Sequence, residues 1–221
     1  MNDYLRRNYE ACSRGSDFLT DNAPDFNAGM PKAKSQALAD AVADIEAKSA
    51  DMAARFGEAS MEVEQKGTAR EILRSAVAAI ADMAIGMEPD FNGISDLFRF
   101  RRNLPDADML ALGRAFHANS AAYETDFIDY GLPGSFRTEL DAAATAFEAE
   151  TSEAAVAKAD RVGAGQALAA AVATAMQILR TMDRIVKQKY ANNPGKLAAW
   201  ASASTVEKAP QKPPPPLTPT P

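Results

Sequence analysis

The chain has one cysteine, one histidine and one tryptophan in 221 residues. A lone Cys12 excludes an internal disulfide and a cysteine metal cluster. With His117 as the sole imidazole, neither the usual zinc site nor the paired Glu-x-x-His ligands of a di-iron bundle can be assembled, and Arg114 stands where such a glutamate would precede it. Lys and Arg number 24 against 30 Asp and Glu, a formal charge of −6, which argues against a general nucleic-acid binder because phosphate contacts need cations in excess. Uninterrupted apolar runs of about 18 residues are lacking, so no helix is expected to span a membrane. The weakly polar run 167–175 is mainly alanine and too short. Residues 1–10 have no apolar core and no cleavage-site pattern, which makes the cytoplasm the default location. Sustained two-residue alternation is missing too, so no sheet is expected.

Catalytic arrangements are equally scarce. The residues after His117, Ala118 and Asn119, are not the Lys and Gly that follow the phosphoacceptor histidine of phosphotransfer domains. There is no Gly-x-Ser-x-Gly turn, and Gly163-Ala164-Gly165 lacks the Gly-Lys-Ser/Thr ending of a phosphate loop. Cys12 shares an apolar face with Leu5 and Tyr9 and reads as a small buried hydrophobe rather than a reactive thiol. The acidic groups Glu58-Glu62 and Asp141-Glu148-Glu150 read as solvated helix faces. No enzyme activity, metal or cofactor is expected.

What is present is helix. Apolar residues make up 47% of the chain, charged residues 24%, and much of the apolar share is alanine, the best helix former. Leu38, Val42, Ile45, Ser49, Met52, Phe56, Ala59 and Val63 alternate four-three, a heptad seam that puts Phe56 in a core or an intermolecular interface. Pro31 suits its first turn. Gly67 is expected to stop this helix, with Thr68-Ala69-Arg70-Glu71 as a capping box for the next. Met109, Leu112, Phe116, Tyr123, Phe127 and Tyr130 share a face that ends at Gly131. Ser135 is placed to cap a helix bearing Phe136, Leu140 and Phe147, and Gly163 and Gly165 to open a last long helix.

A spacing also recurs. Leu73, Val77, Ile80, Met83, Met87 and Phe91 are echoed 99 residues later by Val172, Met176, Leu179, Met182, Val186 and Tyr190. The turn Phe18…Pro24…Phe26 is echoed by Phe127…Pro133…Phe136. A repeated core face predicts a repeated unit. The expected fold is therefore all-α, an up-and-down bundle of about six helices in two three-helix units. The units are expected over 1–89 and 105–207, joined by a connector at 90–104, with a short segment around Leu197 and Trp200 docking back. From 208 to 221 a Pro-rich tail containing Pro213 to Pro216 is expected to be disordered and dispensable for the fold.

Two segments carry a resemblance: Phe98-Arg99-Phe100-Arg101-Arg102-Asn103-Leu104 leading into residues 110–116, and Tyr190-Ala191-Asn192-Asn193-Pro194 leading into residues 197–200. They are similar to an uncharacterised bacterial all-helical protein family of about this length, whose members also end in polar or Pro-rich tails. The resemblance implies a bacterial source and a helical fold across most of the chain. It brings no activity, ligand or catalytic residue.

Two places keep functional interest. Arg99, Arg101 and Arg102, interleaved with Phe98 and Phe100, are the one basic concentration, suited to an anionic ligand. The competing reading has the phenylalanines plugging the joint and the arginines paired with Asp96 and Asp106. Asp183 lies beside the inner stripe, where it is either paired with Arg180 or Lys187 or turned to solvent. The sequence points first to a non-enzymatic interaction or scaffold protein with a protein partner. Second comes a small-ligand-binding or regulatory bundle with its pocket at the connector. The oligomeric state is not fixed by the sequence.

Overall fold

The computed structural model describes residues 1–208, and the tail expected to be disordered lies outside them from residue 209 onward. The fold is all-α. Among the described residues seven helices run in the order α1 (Asp3–Asp21), α2 (Gly29–Met87), α3 (Ile94–Leu97), α4 (Asp106–Ser120), α5 (Glu124–Asp129), α6 (Phe136–Lys189) and α7 (Pro194–Ser204). Single 3₁₀ turns precede α2 and α5.

The chain forms two compact units, cut differently from the expected 1–89 and 105–207. One comprises Met1–Ala53 with the chain from Gly163; the other is Ala54–Val162. Each long helix gives one half to each unit, because neither α2 nor α6 breaks where a break was expected. Gly67 lies inside α2, and Gly163 and Gly165 lie inside α6. Thr68 forms no capping box; its hydroxyl donates to the Glu64 carbonyl one turn back, at 3.1 Å. A glycine lowers helix propensity by about 1 kcal/mol, which a long helix absorbs where its neighbours pack. A Cβ built on Gly67 or Gly163 meets nothing within 4 Å. Gly67→Ala and Gly163→Ala should therefore each raise stability by about 0.5–1 kcal/mol in urea unfolding.

In the first unit, α1 starts on Asn2, whose side chain accepts from the Leu5 N–H at 2.9 Å. Its inner face, Ala11, Cys12 and Leu19, packs with Leu38 and Ile45 of α2 and with the Leu168–Val186 stripe of α6. Trp200 of α7 closes this core at 1% exposure, so the docking expected for that segment is present. Gly15 has a reason: its Cβ would stand 2.6 Å from Leu179 Cδ1 and 3.7 Å from the indole. Lys196 ties α7 down by donating to Asn22 and, at 3.0 Å, to Asp25, which also accepts from Tyr190. Asp183 is paired, accepting from Lys187 at 2.7 Å and from the Trp200 Nε1–H at 3.0 Å. Burial pushes its carboxyl up, but these two donors outweigh that and hold it below the usual carboxylate range.

Cys12 is fully buried with its sulfur 3.5 Å from that of Met176, and burial pushes its thiol up to about 11. The folded protein should therefore react with a thiol-disulfide reagent at pH 8 far more slowly than the unfolded chain. The folded thiol keeps its proton after the unfolded one has lost it. Its share of stability is thus complete below the unfolded pKa and declines as pH rises from there toward 11. Cys12→Ala should remove that alkaline decline.

In the second unit, Leu73, Val77, Ile80 and Met87 of α2 meet Met109 and Phe116 of α4, Phe127 of α5, and Leu140 and Phe147 of α6. The face drawn from Met109 to Tyr130 is split by the 3₁₀ turn at Ala121–Tyr123, and Tyr130 is left 39% exposed. Gly131 ends α5 at φ +114°, a conformation that suits glycine. Glu88, just past α2, accepts from the N–H groups of Gly93 and Ser95 at 2.8 Å each. These bonds fix the turn before α3, and they hold the Glu88 carboxyl below its usual range.

Candidate docking surface on a helix pair

One stretch of the second unit buries almost nothing. Between Ile45 and Ala69 the one buried residue of α2 is Ala59, and α6 buries none between Phe147 and Leu168. Within the second unit this leaves residues 54–68 of α2 and 148–162 of α6 without a core. Phe56, expected in the core, is 58% exposed, and Val63, from the same seam, is 64% exposed. The seam is buried at Leu38 and Ile45, where α1 covers it, and fails where nothing does. Heptad spacing fixes a face of a helix; whether that face is covered depends on the other elements.

The exposed side chains are large and apolar. Met61, Ile72 and Val156 are each between 56% and 59% exposed. Residues two apart on a helix point to nearly opposite sides, at about 100° per residue. Met61 and Val63 therefore open onto different grooves. Met61 and Ile72 line one of about 560 Å³ with Glu64, Ala143, Ala146 and Glu150. Beside it lies a shallower depression with Glu58, Glu62, Glu153, Val156 and Asp160. Val63 lines the other groove, of about 470 Å³, with Ala59, Ala154, Ala155, Lys66, Arg70, Lys158 and Arg161. One side of the pair is acidic and the other basic.

Each side has its own electrostatic structure. On the basic side Asp106, at the start of α4, meets Lys66 at 2.6 Å and Arg70 at 2.9 Å. Lys66 first, then Arg70, holds the Asp106 carboxyl below the usual range. Arg70 also donates to the Leu104 carbonyl at 2.6 Å. Arg161 lies 5.6 Å over the Phe56 ring, a cation–π contact that partly screens this exposed aromatic. On the acidic side Arg55 bridges Glu58 at 3.1 Å and Asp160 at 4.0 Å.

The carboxylates of Glu62, Glu150 and Glu153 converge to within 4.8 Å of one another. One oxygen of Glu62 and one of Glu150 are shielded from solvent with no hydrogen-bond partner among the described residues. Glu62 and Glu150 were expected on solvated faces; they are half-buried because α2 and α6 bring them together. Three carboxylate oxygens are a donor set for a hard cation such as Mg²⁺ or Ca²⁺. They are equally what acid-rich faces of two adjacent helices produce. Nothing in the sequence joins residues 62 and 150, 88 positions apart.

The residues singled out from sequence lie elsewhere. Phe98 plugs the second core at 1% exposure, as one reading had it, its ring edge-on to Phe116 at 5.1 Å and to Phe127 at 5.2 Å. The pairing expected for the arginines is not made, because Asp106 is taken by Lys66 and Arg70. Arg99, Arg101 and Arg102 are exposed, with no ion-pair partner among the described residues. His117 lies in the last turn of α4 and its carbonyl accepts from Ser120 at 3.1 Å. No catalytic constellation is assembled among the described residues.

By length and composition α6 is long and apolar enough to cross a membrane, with a window of mean hydropathy 1.5. Between Arg161 and Arg180 there is no charged residue, and two glycines, two glutamines and one threonine interrupt the apolar run. That window is 28% buried. Compared with family models, with curated proteins and with solved structures, the chain gives no match in any of the three.

Proposed function

We propose that the protein is a non-enzymatic interaction or scaffold protein of the bacterial cytoplasm that works through the helix pair of residues 54–68 and 148–162. The observation that carries this is the exposure of Met61 and Val156 on a stretch that has almost no core of its own, with Ile72 exposed one turn beyond it in the same groove as Met61. Contiguous apolar surface on a folded protein marks a place of association, and Met61 and Ile72 share one groove here. An internal duplication belongs to the same proposal. It is supported by the order of short helix, turn and long helix in α1–α2 and again in α4–α6. It is also supported by two close glycine approaches, Gly15 to Leu179 and Gly113 to Leu73.

The test substitutes serine for Met61, Ile72 and Val156 together. Helicity and melting temperature should stay close to wild type, and proteins recovered with the tagged chain from its host should be lost. Destabilisation by several kcal/mol, the cost of emptying core positions, would mean that these residues fold the protein rather than dock it. An unchanged set of recovered proteins would also end the reading.

The alternative of an anionic ligand at the connector rests on Arg99, Arg101 and Arg102, exposed and unpaired among the described residues. Binding of phosphate or ATP in calorimetry, abolished by R99A/R101A/R102A, would select it.

A further inference from the structure

We propose that the partner of this helix pair is a second copy of the same chain, the acidic side of one copy seated on the basic side of the next. The inference rests on the docking reading above and names its occupant. Three observations carry it. The charges are complementary: Glu64 and Glu150 flank the groove on one side, whereas Lys66, Arg70, Lys158 and Arg161 surround a single Asp106 on the other. The shapes are complementary too. Met61 and Ile72 stand out from the acidic side, and the basic groove offers them an apolar floor of Ala59, Ala154 and Ala155 beside the exposed Val63. Finally, both grooves run along the same two helices, α2 and α6, on opposite sides, so copies stacked in one orientation bring the acidic side of one to the basic side of the next.

The charge pattern also fixes the kind of contact. A two-fold dimer that pairs a side with itself would set carboxylates against carboxylates or cations against cations, which costs free energy. The contact is therefore heterologous, acidic side to basic side, and it leaves one side of each sign open at the ends of any assembly. Such contacts add copies until the rotation closes a ring or the chain of copies extends. Salt weakens the contact by screening charges at the rim, while the apolar knobs resist it.

Sedimentation velocity of the full chain over a range of concentrations tests this. The average mass of the wild type should climb past that of a dimer as concentration rises, and fall when salt is added. Two variants each remove one side: Met61→Ser with Ile72→Ser for the acidic side, and Lys158→Gln with Arg161→Gln for the basic side. Each alone should need about tenfold or more higher concentration to associate. Mixed, they should give a one-to-one dimer that does not grow, because each keeps one intact and complementary side. That rescue also shows that both variants are folded.

A wild type that is monomeric at every concentration overturns the proposal, as does one that stops at a dimer. Variants that assemble like wild type, or a mixture that keeps growing, overturn it too. The docking reading fails separately. If the wild type is monomeric but the serine variant still loses a different protein recovered from the host, the helix pair docks another partner and only the self-association is wrong.

Discussion

Replacing Trp200 with alanine is expected to cost roughly 3–5 kcal/mol, the range for emptying a buried aromatic site. The indole is 1% exposed, its ring centroid is 5.3 Å from that of Phe18, and it fills the space left by Gly15. Its N–H donates to Asp183, so truncation leaves that carboxylate with Lys187 as its remaining donor. Because Asp183 keeps a third of its side chain in solvent, water compensates part of the lost bond. Most of the cost is therefore packing. Trp200→Phe should separate the terms: it keeps most of the ring volume, loses the donor, and should cost about 1–2 kcal/mol. Urea unfolding followed at 222 nm gives both values, since the alanine variant has no tryptophan to report. A loss below about 1 kcal/mol for Trp200→Ala would mean that α7 does not depend on its docking against α1.

Both cores were legible in the sequence, and the exposed helix pair of the second unit was not. The stripes from Leu73 to Met87 and from Val172 to Val186 are buried almost throughout, because apolar residues at three- and four-residue spacing have one way to leave water. The turns at Pro24 and Gly131 and the start near Ser135 were legible because proline, glycine and serine limit the backbone locally. Gly67 and Gly163 misled for the same reason. They carry a local preference against helix of about 1 kcal/mol, too little to break α2 or α6, whose flanking turns are anchored in the cores.

The candidate surface was harder to see because it is defined by a missing neighbour. Ala59, Met61 and Val63 look like one more turn of a seam until burial is seen to stop at Ala59 and leave Met61 and Val63 in water. The acidic and basic sides are invisible in sequence, where Glu64 and Lys66 are two residues apart and read as mixed surface charge. Their separation appears once the helix is turned and its partner supplies Glu150 on one side and Lys158 on the other.

Phe98 and Phe56 together put this contrast to a direct measurement. Phe98→Ala should destabilise the protein by roughly 3–5 kcal/mol. Two edge-on contacts, with Phe116 and Phe127, place it toward the upper end, since such pairs add about 0.5–1.5 kcal/mol each beyond buried area. Phe56→Ala should cost less than about 1 kcal/mol, because most of the ring is in water and what it loses is the contact with Arg161. Heptad spacing alone gives the opposite order, with Phe56 in a seam and Phe98 in a connector. Chemical denaturation of the two variants at one low protein concentration decides between them. Equal costs would restore the seam as a core and remove the exposed helix pair from the account. Raising the concentration then adds a second axis: an association that uses this pair stabilises the wild type as protomer concentration rises, whereas a monomer's stability does not move.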